Sequence, residues 1–322
     1  MYKLCFYVML DKIDQKILLL LIKNSRSSIT SIAKKARISR DVTNYRINRM
    51  VKKRIIRNFI TEIDIEKLGY TSALLFVSIK ADIEKEFIQY INKLDFVSWA
   101  GTHLGFWSLG MAVYGKNNNE VEKRLQLILK KYKDHITNHQ FAFYKNTKFF
   151  TEKYFGHFIK PTSSIKSEKD YKIDNYDKLI LKKLSKNARI SSVELSKLLP
   201  ITAPAISQRI SRLKKYGYIL KYSAYINVFK MGIYQFIFFI TNRNLDERIK
   251  LYSFLEYHPK VPLLLDYIGD PFIEFGIFAE NPYEIRKILQ EIKELFPDNK
   301  IVDFFLTQED FISYGAPECV FQ

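Results

Sequence analysis

The sequence predicts an α+β protein built from one unit used twice, with helical heads alternating with mixed strand–helix domains. Three observations predict it. An internal repeat runs without a gap at an offset of 163 residues, from Asp11/Asp174 to Gly69/Gly232. In each copy the hydrophobic periodicity changes from helical to strand-like soon after the basic segment. Positive charge collects in the helical part of each copy, with 16 Lys and Arg against 6 Asp and Glu over 1–69, and 13 against 3 over 172–232.

The repeat is clearest in "ISRDVTNYRINRMVKKRIIRNF" (38–59) and "ITAPAISQRISRLKKYGYILKY" (201–222), which share a small hydroxyl residue, Arg-Ile-x-Arg, a lysine run and a closing Ile. An ungapped match of this length means a duplicated unit, because solenoid periods are only about 20–50 residues. In the first head Ile13, Ile17, Leu18, Leu20 and Leu21 make one apolar face, with Asp11 or Asp14 at its N-terminus. A short helix follows near Thr30 to Ala36. Ser39 then caps a third, from about Arg40 to Lys53, in which Val42, Ile47 and Met50 suit the core. In the second head Thr202 is the cap, and Pro204 falls in the first turn, where a missing N–H costs little. Two short helices joined by a tight turn, the second basic, follow helix-turn-helix logic.

Behind each head the pattern is strand, helix, hairpin, helix, strand. It reads 73–79, 82–94, 96–114, 118–131 and 136–144 in the first copy, and 235–240, 245–256, 261–279, 282–295 and 300–306 in the second. This is the ferredoxin-like β-α-β-β-α-β order. The chain therefore divides into a helix-turn-helix at 10–58, a connecting strand plus ferredoxin-like domain at 59–158, and a linker at 159–172. A second helix-turn-helix follows at 173–222, with a second connecting strand and ferredoxin-like domain at 223–322. Within the linker, "KPTSSIKSEKD" (160–170) has spacer composition.

A formal charge of +18 on 322 residues calls for an anionic partner, nucleic acid first. Two cysteines, Cys5 and Cys319, sit in no metal spacing and suit a reducing, cytoplasmic setting. The apolar run "LCFYVML" (4–10) is too short to span a bilayer, and Met9 reads as a natural start preceded by an extension. No Walker loop, zinc cluster or nucleophile elbow is present. His135 and His139 stand four apart, but at a loop entering a strand rather than on a helix.

The opening "LDKIDQKILLLLIKNSRSSITSIAKKARISRDVTNYRINRMVKKRII", with "IDIEKLG" (63–69) and its partner "INVFKMG" (226–232), resembles the leucine-responsive/AsnC (feast/famine) transcription regulators. The resemblance implies a DNA-binding regulator with winged helix-turn-helix heads, without enzymatic activity and without a cofactor. It also implies a dimer, which two fused units would build within one chain, as a monomer or as a homodimer of it. Double-stranded DNA is the partner; a small-molecule effector is an option and a membrane is not. The family's effector domain often carries a Gly-x-x-Asp turn. Here the equivalents read Gly105-Phe106-Trp107-Ser108 and Gly269-Asp270-Pro271-Phe272, without the carboxylate at that spacing.

On the third helices, Arg40, Thr43 and Asn44 lie early, where base edges are reached, as do Ser207 and Gln208 in the second copy. Arg46, Arg49, Lys52 and Arg57 read as phosphate contacts, with Arg209, Arg212, Lys215 and Lys221 as their equivalents. The competing reading has Arg46 and Arg209 bracing the fold through ion pairs. His103, Gly105, Trp107 and Gly269 are candidates to line an effector pocket, against plain aromatic packing between paired sheets. The unlike reading sets of the two copies predict an operator with dissimilar half-sites. Two other functions compete: an enzyme like the sirohaem decarboxylases, which resemble this family and occur as fused pairs, and a weakly specific nucleoid-type binder.

Overall fold

The computed structural model describes residues 10–158, 171–269 and 271–322. Cys5, Met9 and the spacer at 160–170 lie outside them.

In unit one the head comprises α1 (Lys12–Lys23), α2 (Ile29–Ala36) and α3 (Arg40–Lys52). Asp11 accepts from the Asp14 N–H while Asp14 accepts from the Asp11 N–H, and Ser28 and Ser39 cap α2 and α3. Each cap satisfies an N–H that a first helical turn leaves open. Strand β1 (Ile56–Ile63) leads into β2 (Thr71–Ile79), α4 (Glu84–Ile91), β3 (Val97–Gly105), β4 (Leu109–Gly115), α5 (Asn118–Lys131) and β5 (Ile136–Phe149). Unit two repeats the order as α6 (Asn175–Lys186), α7 (Ser192–Ser196), α8 (Ala203–Lys215), β6 (Ile219–Ile226), β7 (Tyr234–Thr241), α9 (Leu245–Tyr257), β8 (Leu263–Tyr267), β9 (Ile273–Ala279), α10 (Pro282–Leu295) and β10 (Lys300–Ser313). Pro204 sits in the first turn of α8, behind the Thr202 cap.

Strands β1 and β6 pair with each other rather than with their own units. At the middle of that antiparallel ladder Ile60 faces Ser223. These two residues are equivalents in the repeat, so a pseudo-two-fold axis passes through the pair. The same axis runs on between Phe76 and Phe239, also equivalents, whose rings meet edge to face at 5.4 Å.

Bonds across the axis come in matched sets. The Ser25 N–H donates to the Tyr222 carbonyl at 3.0 Å, and the Ala188 N–H to the Phe59 carbonyl at 2.7 Å. Arg26 donates to the Ala188 and Ile190 carbonyls at 2.6 and 2.8 Å, and Arg189 to the Ser25 and Ser27 carbonyls. Each head thus completes its core with the other unit's strand. Ile17, Leu18, Leu21, Ile47 and Met50 of head one pack with Ala224 and Ile226.

The two ferredoxin-like sheets, β3-β4-β2-β5 and β8-β9-β7-β10, join along both edges into a closed barrel of eight strands. Strands β5 and β10 extend past the ends at 144 and 306 that their sequence pattern suggests. The reason is tertiary: Ile136–Phe143 pairs with β2, while Tyr144–Phe149 pairs with β8. Likewise the first half of β10 pairs with β7 and the second half with β3. β2 is buried along nearly its whole length, between the facing sheet and the outer helices, which is why it reads as an unbroken apolar run.

Polar bonds hold the β1–β6 ribbon to the barrel. Tyr225 donates its hydroxyl to Asp310 at 2.6 Å, and Asp310 also accepts from Trp99 Nε1 at 3.0 Å.

Candidate nucleic-acid interface

Helix α3 faces its core with Thr43, Ile47 and Met50, at i, i+4 and i+7. Thr43 is fully buried and bonds the Ser39 carbonyl at 2.9 Å, so it cannot reach a base. Val42, expected in the core, is exposed instead. Ile47 and Met50 face inward as expected, and only the first place of the stripe moves, from Val42 to Thr43, because the small hydroxyl fits against the N-cap and donates back to it. Ile206 occupies the Thr43 position in α8 and is likewise buried.

Arg40, Asn44 and Lys52 stand exposed on α3, as do Ser207, Gln208 and Lys215 on α8. Ser207 shares a hydrogen bond with Ser192 of α7 at 2.8 Å. The structure adds Tyr45, 66% exposed, and Asn48 to the outer face of α3. Nothing in composition singled out Tyr45. The signal was geometric: once Thr43, Ile47 and Met50 define the inner stripe, residues 41, 44, 45 and 48 fall opposite it.

Arg46 and Arg209 are both held in ion pairs. Arg46 reaches Asp11 at 2.6 Å and Asp14 at 2.9 Å; Arg209 reaches Asp174 at 2.8 Å and Asp177 at 2.9 Å. Arg49 adds a second guanidinium to Asp14, which is 1% exposed. These contacts tie the third helix of each head to the start of its first, as the bracing reading requires. The Asp14 N–H and then the Arg46 guanidinium hold the Asp11 carboxyl below its ordinary range. Burial opposes the same effect at Asp174, but the Asp177 N–H and Arg209 outweigh it and lower that carboxyl too. Arg57 and Lys221 turn from the heads toward the barrel, pairing with Glu309 at 3.2 Å and Glu152 at 3.1 Å.

The effector candidates fall in packed surroundings. His103 is 5% exposed, stacks on Phe305 at 4.0 Å, and leaves both ring nitrogens without a partner. Burial pushes its pKa down to about 3, so it stays neutral. Trp107 is equally buried, beside Phe76 and Phe106. Gly105 adopts φ 143° with its Cα against Phe305, and Gly269 adopts φ 116° in open space. His103 and Trp107 of the first hairpin are thus packed among aromatic rings between the sheets. Asp270 lies outside the described residues. His135 precedes β5 and His139 lies within it, off any helix. Among the described residues no cluster of His, Cys, Asp and Glu could hold a metal ion, and no helix is long and apolar enough to cross a membrane.

Two heads on a paired strand ribbon above a closed double sheet define a winged helix-turn-helix architecture in duplicate. A family model described as winged helix-turn-helix DNA-binding matches residues 10–57 and again 173–219. An HTH-type transcriptional regulator of Pyrococcus horikoshii is 30% identical over 116 residues, covering 35% of this chain and 77% of the relative. One of Pyrococcus furiosus is 31% identical over 119 residues, covering 36% and 79%. The chain belongs to the helix-turn-helix transcriptional regulators, with the helix-turn-helix unit present twice.

The whole arrangement is also seen in the solved siroheme decarboxylase NirDL, at a TM-score of 0.60 and 13% identity over 94% of this chain and 93% of that one. At that identity the likeness speaks for the fold.

Proposed function

We propose that the chain is a sequence-specific DNA-binding transcription regulator that acts as an intrachain pseudo-dimer and carries out no enzymatic step. In this reading 10–58 and 173–222 are the reading heads. The segments 59–158 and 223–322 are their scaffold, joined through 159–172. The observation that carries it is the pair of basic third helices, related by one pseudo-two-fold axis and offering unlike outer faces. A duplex presents equivalent groove faces one helical turn apart, and two linked heads can read both.

Arg40, Asn44, Tyr45 and Asn48 would meet bases from head one, and Ser207 and Gln208 from head two. Asn suits adenine and Arg suits guanine. Lys52 and Lys215 would meet phosphates. The buried hairpin residues His103 and Trp107 take no part.

Selection from a random duplex pool, followed by titration over a salt series, tests the reading. The expected site has two dissimilar halves, and affinity should fall with salt with a log–log slope of about −5. A perfect palindrome would sink the asymmetric reading, and no retardation of any duplex at low salt would sink the regulator. Sirohaem added to the purified protein should leave no shifted visible absorption; a stoichiometric spectral change would favour the decarboxylase alternative.

A further inference from the structure

The two heads hold the same four charged positions in unequal ways. In head one Arg46 and Arg49 both grip Asp14. In head two Arg209 grips Asp177, but the equivalent of Arg49, Arg212, is in no such pair among the described residues. Its place on Asp177 Oδ2 is taken by the Tyr171 hydroxyl, which donates at 2.6 Å. Arg212 lies over the Tyr171 ring, 5.4 Å from its centroid, and hydrogen-bonds the Tyr171 side chain.

Tyr171 is itself clamped. Its ring stacks on Tyr216 at 5.1 Å and meets Tyr218 edge-on at 6.3 Å, and its carbonyl accepts from the Tyr218 hydroxyl at 2.7 Å. Among the described residues head one has no such set: Lys53 and Ile55 stand where head two has Tyr216 and Tyr218.

The two arginines therefore differ in what they must give up to meet a phosphate. Arg49 would have to leave a buried carboxylate, and stripping a buried charge of its partner is costly. Arg212 would leave only the neutral Tyr171 side chain, through a hydrogen bond and a contact over the ring, and no buried carboxylate. A tyrosine hydroxyl satisfies Asp177 without spending a cation.

We infer that Tyr171 is a positioning residue that keeps Arg212 off the buried Asp177 carboxylate and available to a backbone phosphate, making head two the stronger electrostatic anchor and giving the chain a direction on DNA. This rests on the DNA-binding reading above.

The test is fluorescence anisotropy of the full chain on a labelled duplex across a salt series, with thermal unfolding as a fold control. Arg212→Ala should flatten the log–log slope by about one, and Arg49→Ala should leave it unchanged. Arg49→Gln, which keeps a donor toward Asp14, serves should Arg49→Ala fail to fold. Tyr171→Phe lets Arg212 settle on Asp177, so it should flatten the slope as Arg212→Ala does. The double variant should go no further, an interaction that loss of packing alone would not produce. Equal effects of the two arginines, or an unchanged slope in Tyr171→Phe, would overturn the inference while leaving DNA binding intact. A wild-type chain that binds no duplex would remove both readings together.

Discussion

Replacing Glu274 with Gln should raise stability at alkaline pH and leave it nearly unchanged in acid. Glu274 lies on β9 inside the barrel, 4% exposed, and accepts a hydrogen bond from the Tyr267 hydroxyl. Burial pushes its carboxyl from 4.5 up to about 7, and the Tyr267 bond offsets this only in part. With a raised folded pKa, the folded chain keeps a proton that the unfolded chain has already lost. Stability from this group is complete below pH 4.5 and is lost as pH rises through about 7. A shift of that size corresponds to about 3 kcal/mol.

Other buried groups contribute to the wild-type curve. His103, with its pKa lowered by burial, adds stability as pH rises toward its unfolded value. Asp310, raised by burial, acts in the same direction as Glu274. Both are common to the two proteins, so the difference between variant and wild type isolates Glu274. The assay is urea denaturation from about pH 4 to pH 9, read as the difference in unfolding free energy. The Gln variant should gain about 3 kcal/mol across that range. A difference that stays flat with pH would mean Glu274 is not held protonated in the folded barrel, and the account of its burial would be wrong.

Arg209→Ala should destabilise more than Arg46→Ala. Losing Arg46 leaves Asp14 with Arg49, whereas losing Arg209 leaves Asp177 with no cation, only the Tyr171 hydroxyl and the Asp174 N–H; hydrogen exchange in α1 and α6 should show losses of about 1.5–3 kcal/mol against about 3–5. Gly315→Ala should open the seam between head and barrel, because a Cβ there would overlap the Thr61 carbonyl; a fall in melting temperature of several degrees, equivalent to about 2 kcal/mol or more, would register it. Arg54→Gly should stabilise by about 0.5–1 kcal/mol in thermal unfolding, because Arg54 has φ 57° where its equivalent, Gly217, has φ 74°.

Element type and order were legible to a degree that follows from the repeat. Each copy checks the other, and α5, α10 and the caps Ser39 and Thr202 fall where the pattern puts them. Periodicity failed where a polar side chain competes for an inward place, as Thr43 does with Val42. It also failed for side chains whose partners are remote. Arg46 and Asp14 lie 32 residues apart, Arg57 and Glu309 lie on opposite units, and no local pattern tells an arginine aimed at a carboxylate from one aimed at solvent.

The sequence alone determined the duplication, the three-helix heads, the alternating order behind them and the concentration of positive charge. All of these are local patterns, set within one or two turns of chain. Tertiary structure decided what pairs with what. The strands β1 and β6 pair across the units, and β5 and β10 are long because each serves one sheet with its first half and the other with its second. The reason is that a strand's hydrogen bonds are made sideways, to whichever neighbour the fold brings up. The same holds for charge: Tyr171 and Arg49 each complete a buried aspartate, and only the packed heads reveal that one copy spends an arginine where the other spends a tyrosine.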